Sequence, residues 1–147
     1  MKIYLIILLI FSKNLLAVEP DKMIVVVNDE QKSQLTGVVD VSNYLNKKNA
    51  DFKIYSLDDV NNFERKQSEG LPADEEKAKE IIKKKYDKLG EKNLQQMIMK
   101  AYAAKILTLR FQLEKYPAII FDDSVVVYGE FNLNNALNAY LEMEENQ

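Results

Sequence analysis

Apolar and polar positions along the chain follow two different periods, which predict strands in some places and helices in others. Residues 23–28 form an unbroken apolar run rich in β-branched side chains, which is typical of a buried central strand. Residues 29–37 are polar and predict a connection. Apolar side chains three and four apart predict a short helix over residues 40–48. Residues 52–56 alternate around Lys53 and predict a second strand.

The middle of the chain predicts a pair of helices. Residues 57–69 are polar and predict a loop containing a helical turn. Gly70 and Pro72 then interrupt the chain, and Asp74 is a good N-cap for a helix that ends at Gly90. A longer helix is expected over residues 92–113. Its inward positions are Leu94, Met97, Ile98, Ala101, Tyr102, Leu109 and Leu113. Its second half is apolar nearly all round, which predicts packing on more than one side.

The C-terminal part predicts a hairpin followed by a helix. Tyr116 precedes Pro117, which disfavours helical geometry, so the long helix is expected to end there. Residues 118–121 and 124–128 predict two strands joined across Asp122 and Asp123, and residues 133–143 predict a closing helix. The order β-α-β-α-α-β-β-α predicts a thioredoxin/glutaredoxin-like α/β fold. Its four-stranded sheet is mixed, residues 74–113 form a helical hairpin insertion, and Pro117 stands where that fold usually has a cis proline.

The N-terminus has the pattern of an export signal. Lys2 precedes an apolar run over residues 3–11, and Leu15, Leu16 and Ala17 offer a cleavage site. The run is shorter than the roughly 20 residues that span a bilayer. We therefore expect a signal peptide at residues 1–17 and a single domain at residues 18–147. The expected location is the periplasm, with no stable membrane insertion after cleavage.

The charge balance disfavours a nucleic-acid partner. The chain carries 20 basic and 23 acidic residues, a net charge of −3. Without residues 1–17 it keeps 18 basic and 23 acidic residues, a net charge of −5. Phosphate binding requires a net basic face. No direct contact with nucleic acid is therefore expected.

The absence of cysteine and histidine restricts the available chemistry. Thiol–disulfide exchange requires a thiolate, so that reaction is excluded. In the expected fold a nucleophile would lie within residues 29–34, which are polar and hold no thiol. Without histidine there is also no Ser-His-Asp triad and no usual zinc site. Asp122 and Asp123 resemble a catalytic carboxylate pair, but hairpin-turn residues are the better interpretation. We expect no enzymatic activity, no catalytic residue, no cofactor and no metal.

Binding remains as the expected activity. A proline of this kind, placed ahead of a strand, leaves the neighbouring backbone open to an extended peptide that pairs with it by strand addition. Tyr116 and Tyr128 flank that position and offer aromatic contact area. In the alternative interpretation Tyr116 only caps the helix and Tyr128 packs in the core.

Four motifs carry a family resemblance. They are Gly70-Leu71-Pro72-Ala73-Asp74, Ala101-Tyr102, Lys115-Tyr116-Pro117-Ala118 and Val126-Val127-Tyr128-Gly129-Glu130. Over residues 70–137 the chain resembles a family of small exported proteins encoded within integrating conjugative elements. It departs at residues 111–114, where relatives tend to carry a glycine. The resemblance implies a role in the type IV secretion machinery that moves DNA between cells. Glu130 has no evident structural role in the sequence and is a candidate contact.

The resulting hypothesis is a non-enzymatic periplasmic component of an integrating conjugative element, or type IV secretion DNA-transfer system. It would bind proteins of the transfer apparatus through a thioredoxin-like surface, with Tyr116, Pro117, Tyr128 and Glu130 as partner-binding residues. Two alternatives remain. One is a hydrolase or isomerase that depends on carboxylates. The other is a structural protein packed permanently with a partner, which exposed Leu and Ile side chains on the helix at residues 92–113 would indicate.

Overall fold

A computed structural model describes residues 19–146, so the expected signal peptide at residues 1–17 lies outside the described residues. The described chain contains four strands and six helices. In order, they are β1 (Lys22–Val27), α1 (Asp29–Gln34), α2 (Val38–Lys47), β2 (Asp51–Ser56), α3 (Asp59–Ser68), α4 (Glu75–Leu89), α5 (Glu91–Phe111), β3 (Ala118–Phe121), β4 (Val125–Tyr128) and α6 (Leu133–Glu145).

The strands form one mixed sheet in the order β2-β1-β3-β4. β1 and β2 are parallel, β3 is antiparallel to β1, and β4 is antiparallel to β3. This confirms the expected α/β class and the mixed four-stranded sheet. β1 is central because its side chains are apolar in both directions, so each of its faces supports a separate core.

The first core lies between one face of the sheet and the helices α2 and α6. Alternate residues of β1 point to it, and Phe121 and Tyr140 stack within it with ring centroids 4.5 Å apart. The second core lies on the opposite face, where Ile24, Val26 and Ile120 meet Leu107 of α5. Burying each large apolar side chain contributes roughly 1.5–3 kcal/mol, so both cores support the sheet.

α5 contacts the sheet along one face only. Its buried residues Ala101, Ala104 and Leu107 are three apart and face the second core or α3. Leu109 is 78% exposed and Ile106 is 46% exposed. The expectation that the second half of α5 packs on several sides is therefore wrong, as are the inward positions assigned to Leu109, Met97 and Ile98. The helices beside α5 leave its outer side open, which apolar periodicity alone does not reveal.

Two segments expected to be irregular are helices. α1 begins inside the predicted connection at residues 29–37, where Asn28 caps the helix and Gln31 completes a capping box. α3 occupies most of the predicted loop at residues 57–69. α5 ends at Phe111, five residues before Tyr116, because Gln112 adopts a left-handed conformation with φ 50°. Each difference arises from local capping that the apolar pattern does not record.

The β3–β4 hairpin turns through three residues, because Ser124 belongs to the turn and not to the strand. Asp122 and Asp123 both have positive φ, 49° and 57°. Asp122 Oδ1 accepts a hydrogen bond from the backbone N–H of Lys22 at 2.8 Å, and Oδ2 accepts one from the Tyr140 hydroxyl at 2.8 Å. Burial and this carboxylate raise the pKa of Tyr140. Asp122 thus fastens the turn to the first strand and the last helix.

The segment between α1 and α2 pairs with the segment that precedes α6. The N–H of Thr36 donates to the carbonyl of Phe131 at 2.9 Å, and its carbonyl accepts from the N–H of Leu133 at 3.0 Å. Gly37 follows with φ 73°, and a Cβ there would stand 2.5 Å from the Asn134 side-chain nitrogen. Only glycine combines this backbone conformation with so close an approach.

Candidate functional site

The N-terminus of α1 lies where the sequence predicted the place of a nucleophile. Asn28 follows β1 and its side chain accepts a hydrogen bond from the N–H of Gln31 at 2.7 Å. The Gln31 side-chain oxygen accepts in return from the N–H of Asn28 at 3.2 Å. The side-chain amide nitrogen of Gln31 remains free to donate, and it reaches the backbone carbonyl of Tyr116 at 3.0 Å. Gln31 therefore joins α1 to the loop that precedes β3.

Asp29 joins the same helix to β2 and α3. Its carboxylate accepts hydrogen bonds from the hydroxyl of Ser56 at 2.6 Å and from the amide of Asn62 at 3.3 Å. Its N–H donates to the carboxylate of Asp58 at 2.8 Å. Ser56 is buried, and its oxygen also accepts from the N–H of Asp58. These groups satisfy one another, so the cluster at the carboxyl ends of β1 and β2 has a structural role.

The peptide bond between Tyr116 and Pro117 is cis. Pro117 is buried, and its carbonyl accepts a hydrogen bond from the N–H of Gly129 at 2.9 Å. The hydroxyl of Tyr116 lies 2.8 Å from the Thr108 hydroxyl on α5, and its half-buried ring packs beside the second core. Tyr116 does not cap α5, because that helix has already ended. Its carbonyl is occupied by Gln31, so this group is not open to an added peptide.

Tyr128 and Glu130 lie on the other side of the hairpin. Tyr128 is 41% exposed, so the alternative that it packs in the core is wrong. It stands opposite Ala118, and directly opposite residues point to the same face, which for Ala118 is the second core. Glu130 has a structural contact that the sequence did not suggest, since its carboxylate accepts from the N–H of Asn132 at 2.7 Å, just before α6. The four expected contact residues therefore gather at one end of the hairpin.

The outer edge of β4 is the open feature of this region. The N–H of Gly129 points inward to β3, and inward and outward groups alternate along an antiparallel strand. The N–H groups of Val126 and Tyr128 therefore point away from the sheet. β4 carries no charged residue, whereas the opposite edge, β2, carries Asp51 and Lys53. Charged side chains are a common protection of sheet edges, and β4 lacks it.

A second feature of the structure is a groove beside α5, which the sequence did not predict. Exposed apolar side chains of α5 line a groove beside β1 and β2. It measures about 370 Å³ and is lined by Ile24, Tyr55, Met99, Lys100, Ala103, Ile106 and Leu107. The apolar residues were visible in the sequence, but the open side of α5 was not.

Within residues 19–146, no group of three or more acidic side chains is arranged to hold a metal ion. In the same part of the chain, no helix is both long enough and apolar enough to span a bilayer.

The fold and the hairpin define an α/β protein with a four-stranded mixed sheet and an open edge at β4. Residues 25–145 match the model of a protein family described as "Protein of unknown function (DUF1525)". The match runs from β1 to the last turn of α6, and the chain belongs to this family. No curated protein and no solved structure matches the chain.

Proposed function

We propose that this protein is a non-enzymatic periplasmic component of an integrating conjugative element, or type IV secretion DNA-transfer system, and that it binds a protein of the transfer apparatus along the edge of β4. The observation that carries the binding role is the pair of outward N–H groups at Val126 and Tyr128 on an uncharged edge strand. The transfer context is supported by the motif resemblance over residues 70–137.

The proposed fold is thioredoxin-like. Three features support it: two parallel strands β1 and β2, an antiparallel hairpin of β3 and β4 on the other side of β1, and helices on both faces. In this fold the α4–α5 hairpin is an insertion between β2 and β3. α1 stands where the nucleophile of a redox relative would lie, and Gln31 there binds the loop before Pro117.

Binding would proceed by strand addition to β4. An extended segment of the partner would accept hydrogen bonds from the N–H groups of Val126 and Tyr128, which gives affinity without sequence preference. The exposed ring of Tyr128 would add contact area and side-chain selectivity. Tyr116 and Pro117 would stabilise this edge indirectly. The Pro117 carbonyl accepts a hydrogen bond from Gly129, and the Tyr116 hydroxyl contacts Thr108 of α5. Glu130 continues the edge with a negative charge, so a basic residue in the partner would fit beside it.

Two substitutions at one position separate the backbone from the side chain. Tyr128→Ala removes the ring, whereas Tyr128→Pro also removes the outward N–H without removing a hydrogen bond to β3. In cells that carry the element, DNA transfer should fall modestly with Tyr128→Ala and strongly with Tyr128→Pro. A photo-crosslinking residue at position 128 should capture a transfer-apparatus protein, and one at Lys53 on the opposite edge should not.

Unchanged transfer frequency with Tyr128→Pro, at normal protein levels, would refute the role of the β4 edge. A deletion of the gene that leaves transfer unchanged would refute the role in conjugation itself. The export step is tested separately by fractionating cells that express the full chain and sequencing the N-terminus of the periplasmic protein.

A second candidate function, permanent packing against a partner protein, is favoured by the exposed side chains of Ile98, Ile106 and Leu109 on α5. The two functions differ in the behaviour of the purified protein. A binding module remains soluble and monomeric alone, whereas a permanently packed subunit aggregates until its partner is present.

A further inference from the structure

The groove beside α5 has a floor and two walls of apolar side chains. Ile24 of β1 forms the floor and is only 7% exposed, while Tyr55 of β2 forms one wall. The other wall is α5, where Met99, Ala103 and Ile106 follow one another at spacings of four and three residues. These residues form a stripe of roughly 10 Å along the helix axis. A stripe of this spacing packs well against a second helix.

The helix that forms this wall has a net charge of opposite sign to that of the whole chain. α5 carries the basic residues Lys92, Lys100, Lys105 and Arg110 and the acidic residue Glu91, a net charge of +3, whereas the chain has −3. Lys100 lines the groove, and Lys105 is exposed next to Ile106. Among the salt bridges of residues 19–146, neither lysine takes part. Lys100 therefore gives the groove a basic lining residue without a salt bridge in residues 19–146, and Lys105 adds a second such lysine on the same helix.

We infer that this groove binds an amphipathic helix of a partner protein, with an apolar face that fills the groove and acidic residues that meet Lys100 and Lys105. A helix laid along α5 covers Met99, Ala103 and Ile106 with one face, as in other helix-in-groove complexes. Met99 in this wall has a flexible side chain that adapts its shape to a partner's side chains. The groove lies beside β1 and β2, and β3 separates these strands from β4 in the sheet. This inference therefore does not rest on strand addition to β4.

Charge and shape favour this occupant over two others. A second copy that docks α5 against α5 would bring two helices of net charge +3 together, which is unfavourable. A lipid surface would meet the exposed Leu109, but a flat bilayer does not reach a floor residue that is 7% exposed.

The test uses the protein purified after expression of the full chain and two labelled peptides of about 18 residues, a length that supports a helix. Both peptides carry leucine at i, i+3, i+4 and i+7; one has glutamate at the flanking positions and the other has lysine. Fluorescence anisotropy at about 150 mM salt should show at least about tenfold tighter binding of the acidic peptide.

Three variants locate the site. Met99→Glu with Ile106→Glu should weaken the acidic peptide by at least about tenfold, because the stripe then carries two carboxylates. Lys100→Glu with Lys105→Glu keeps the apolar stripe and should reverse the preference towards the basic peptide. Val39→Glu is the matched control, since Val39 is 70% exposed on α2 and lines no part of the groove. All five substituted positions are exposed, so we expect the variants to fold, and circular dichroism melting checks this.

Four results would overturn the inference. The first is the absence of binding by either peptide, and the second is equal binding of both. The third is a concentration-dependent dimer, measured by sedimentation, that Ile106→Glu dissociates, since the occupant would then be a second copy. The fourth is binding to phosphatidylglycerol vesicles that the same variant abolishes while peptide binding is absent, since the occupant would then be a lipid surface.

Discussion

The side-chain amide of Gln31 donates a hydrogen bond of 3.0 Å to the backbone carbonyl of Tyr116, across 85 residues of sequence. This contact connects the first helix after β1 with the loop before β3. The same side chain completes the capping box with Asn28. One glutamine therefore serves a local and a long-range function at once.

Gln31→Ala should lower the free energy of unfolding by about 1–2 kcal/mol, because it removes the capping contact and the bond to Tyr116 together. Gln34→Ala is the control, since Gln34 is exposed at the last position of the same helix and should change stability by less than about 0.5 kcal/mol. Urea denaturation followed by circular dichroism measures both. Equal effects of the two substitutions would show that the contact to Tyr116 contributes nothing.

Gly37→Ala should destabilise the protein more than Gly70→Ala does. Both glycines have positive φ, 73° and 76°, so alanine costs about 1 kcal/mol at either position. At Gly70 no atom of residues 19–146 lies within 4 Å of the added Cβ, whereas at Gly37 the Asn134 side-chain nitrogen is 2.5 Å away. We expect a total loss of about 2 kcal/mol for Gly37→Ala in thermal or urea unfolding. Asn134→Ala added to Gly37→Ala should recover the difference; no recovery would contradict the steric explanation.

Two leucines of α5, two positions apart, should differ in how much their substitution lowers the stability of the protein. Leu107 is 9% exposed in the second core, and Leu107→Ala should cost about 2–4 kcal/mol. Leu109 is 78% exposed, and Leu109→Lys should change stability by less than about 0.5 kcal/mol. Chemical denaturation measures the stability of the two variants, and the difference between them reports which face of α5 is buried. A large loss for Leu109→Lys would mean that the outer side of the helix is packed.

The contact between Lys22 and Asp123 should be visible in the acid range. The Lys22 ammonium, 2.6 Å away, lowers the pKa of Asp123; burial opposes this, and Arg110 adds a smaller effect in the same direction. Because the folded-state pKa is below the unfolded value, the contribution to stability is present above the ordinary aspartate pKa. It is lost as the pH falls through the folded-state pKa. Its size is about 0.5 kcal/mol, since both side chains are nearly a third exposed.

Carboxyl NMR titration measures this effect directly. In Lys22→Met the pKa of Asp123 should rise, and the acid-dependent part of the stability should shrink. Glu80, whose pKa is lowered by Lys84 on α4, gives an internal control in the same spectra and should not move. An unchanged titration of Asp123 would remove Lys22 as the cause.

The sequence predicted the sheet well because its signals are strong and local. The apolar run of β1, the break at Gly70 and Pro72 and the two strands after Pro117 all depend on neighbours within a few residues. α1 and α3 were missed because short polar helices have no apolar stripe, although Asn28 and Gln31 stand at capping-box spacing.

The candidate site was predictable only in part. The positions of Tyr116, Pro117, Tyr128 and Glu130 at one end of a hairpin follow from the order of the strands. The hydrogen bond from Gln31 and the open side of α5 depend on tertiary packing, which residue periodicity does not reveal. Leu109 illustrates the limit, since it has the spacing of a core residue and lies in solvent.

The turn at Asp122 restricts which side chains can replace this aspartate. Its residue must adopt φ 49° and at the same time present two acceptor oxygens, one to the backbone of Lys22 and one to Tyr140. Glycine offers neither acceptor, whereas asparagine offers one acceptor oxygen and would have to donate its side-chain N–H to the Tyr140 oxygen instead. Aspartate therefore serves the turn and both contacts at once, and a replacement for Asp123, with φ 57°, has to fit the turn as well as Lys22 and Arg110.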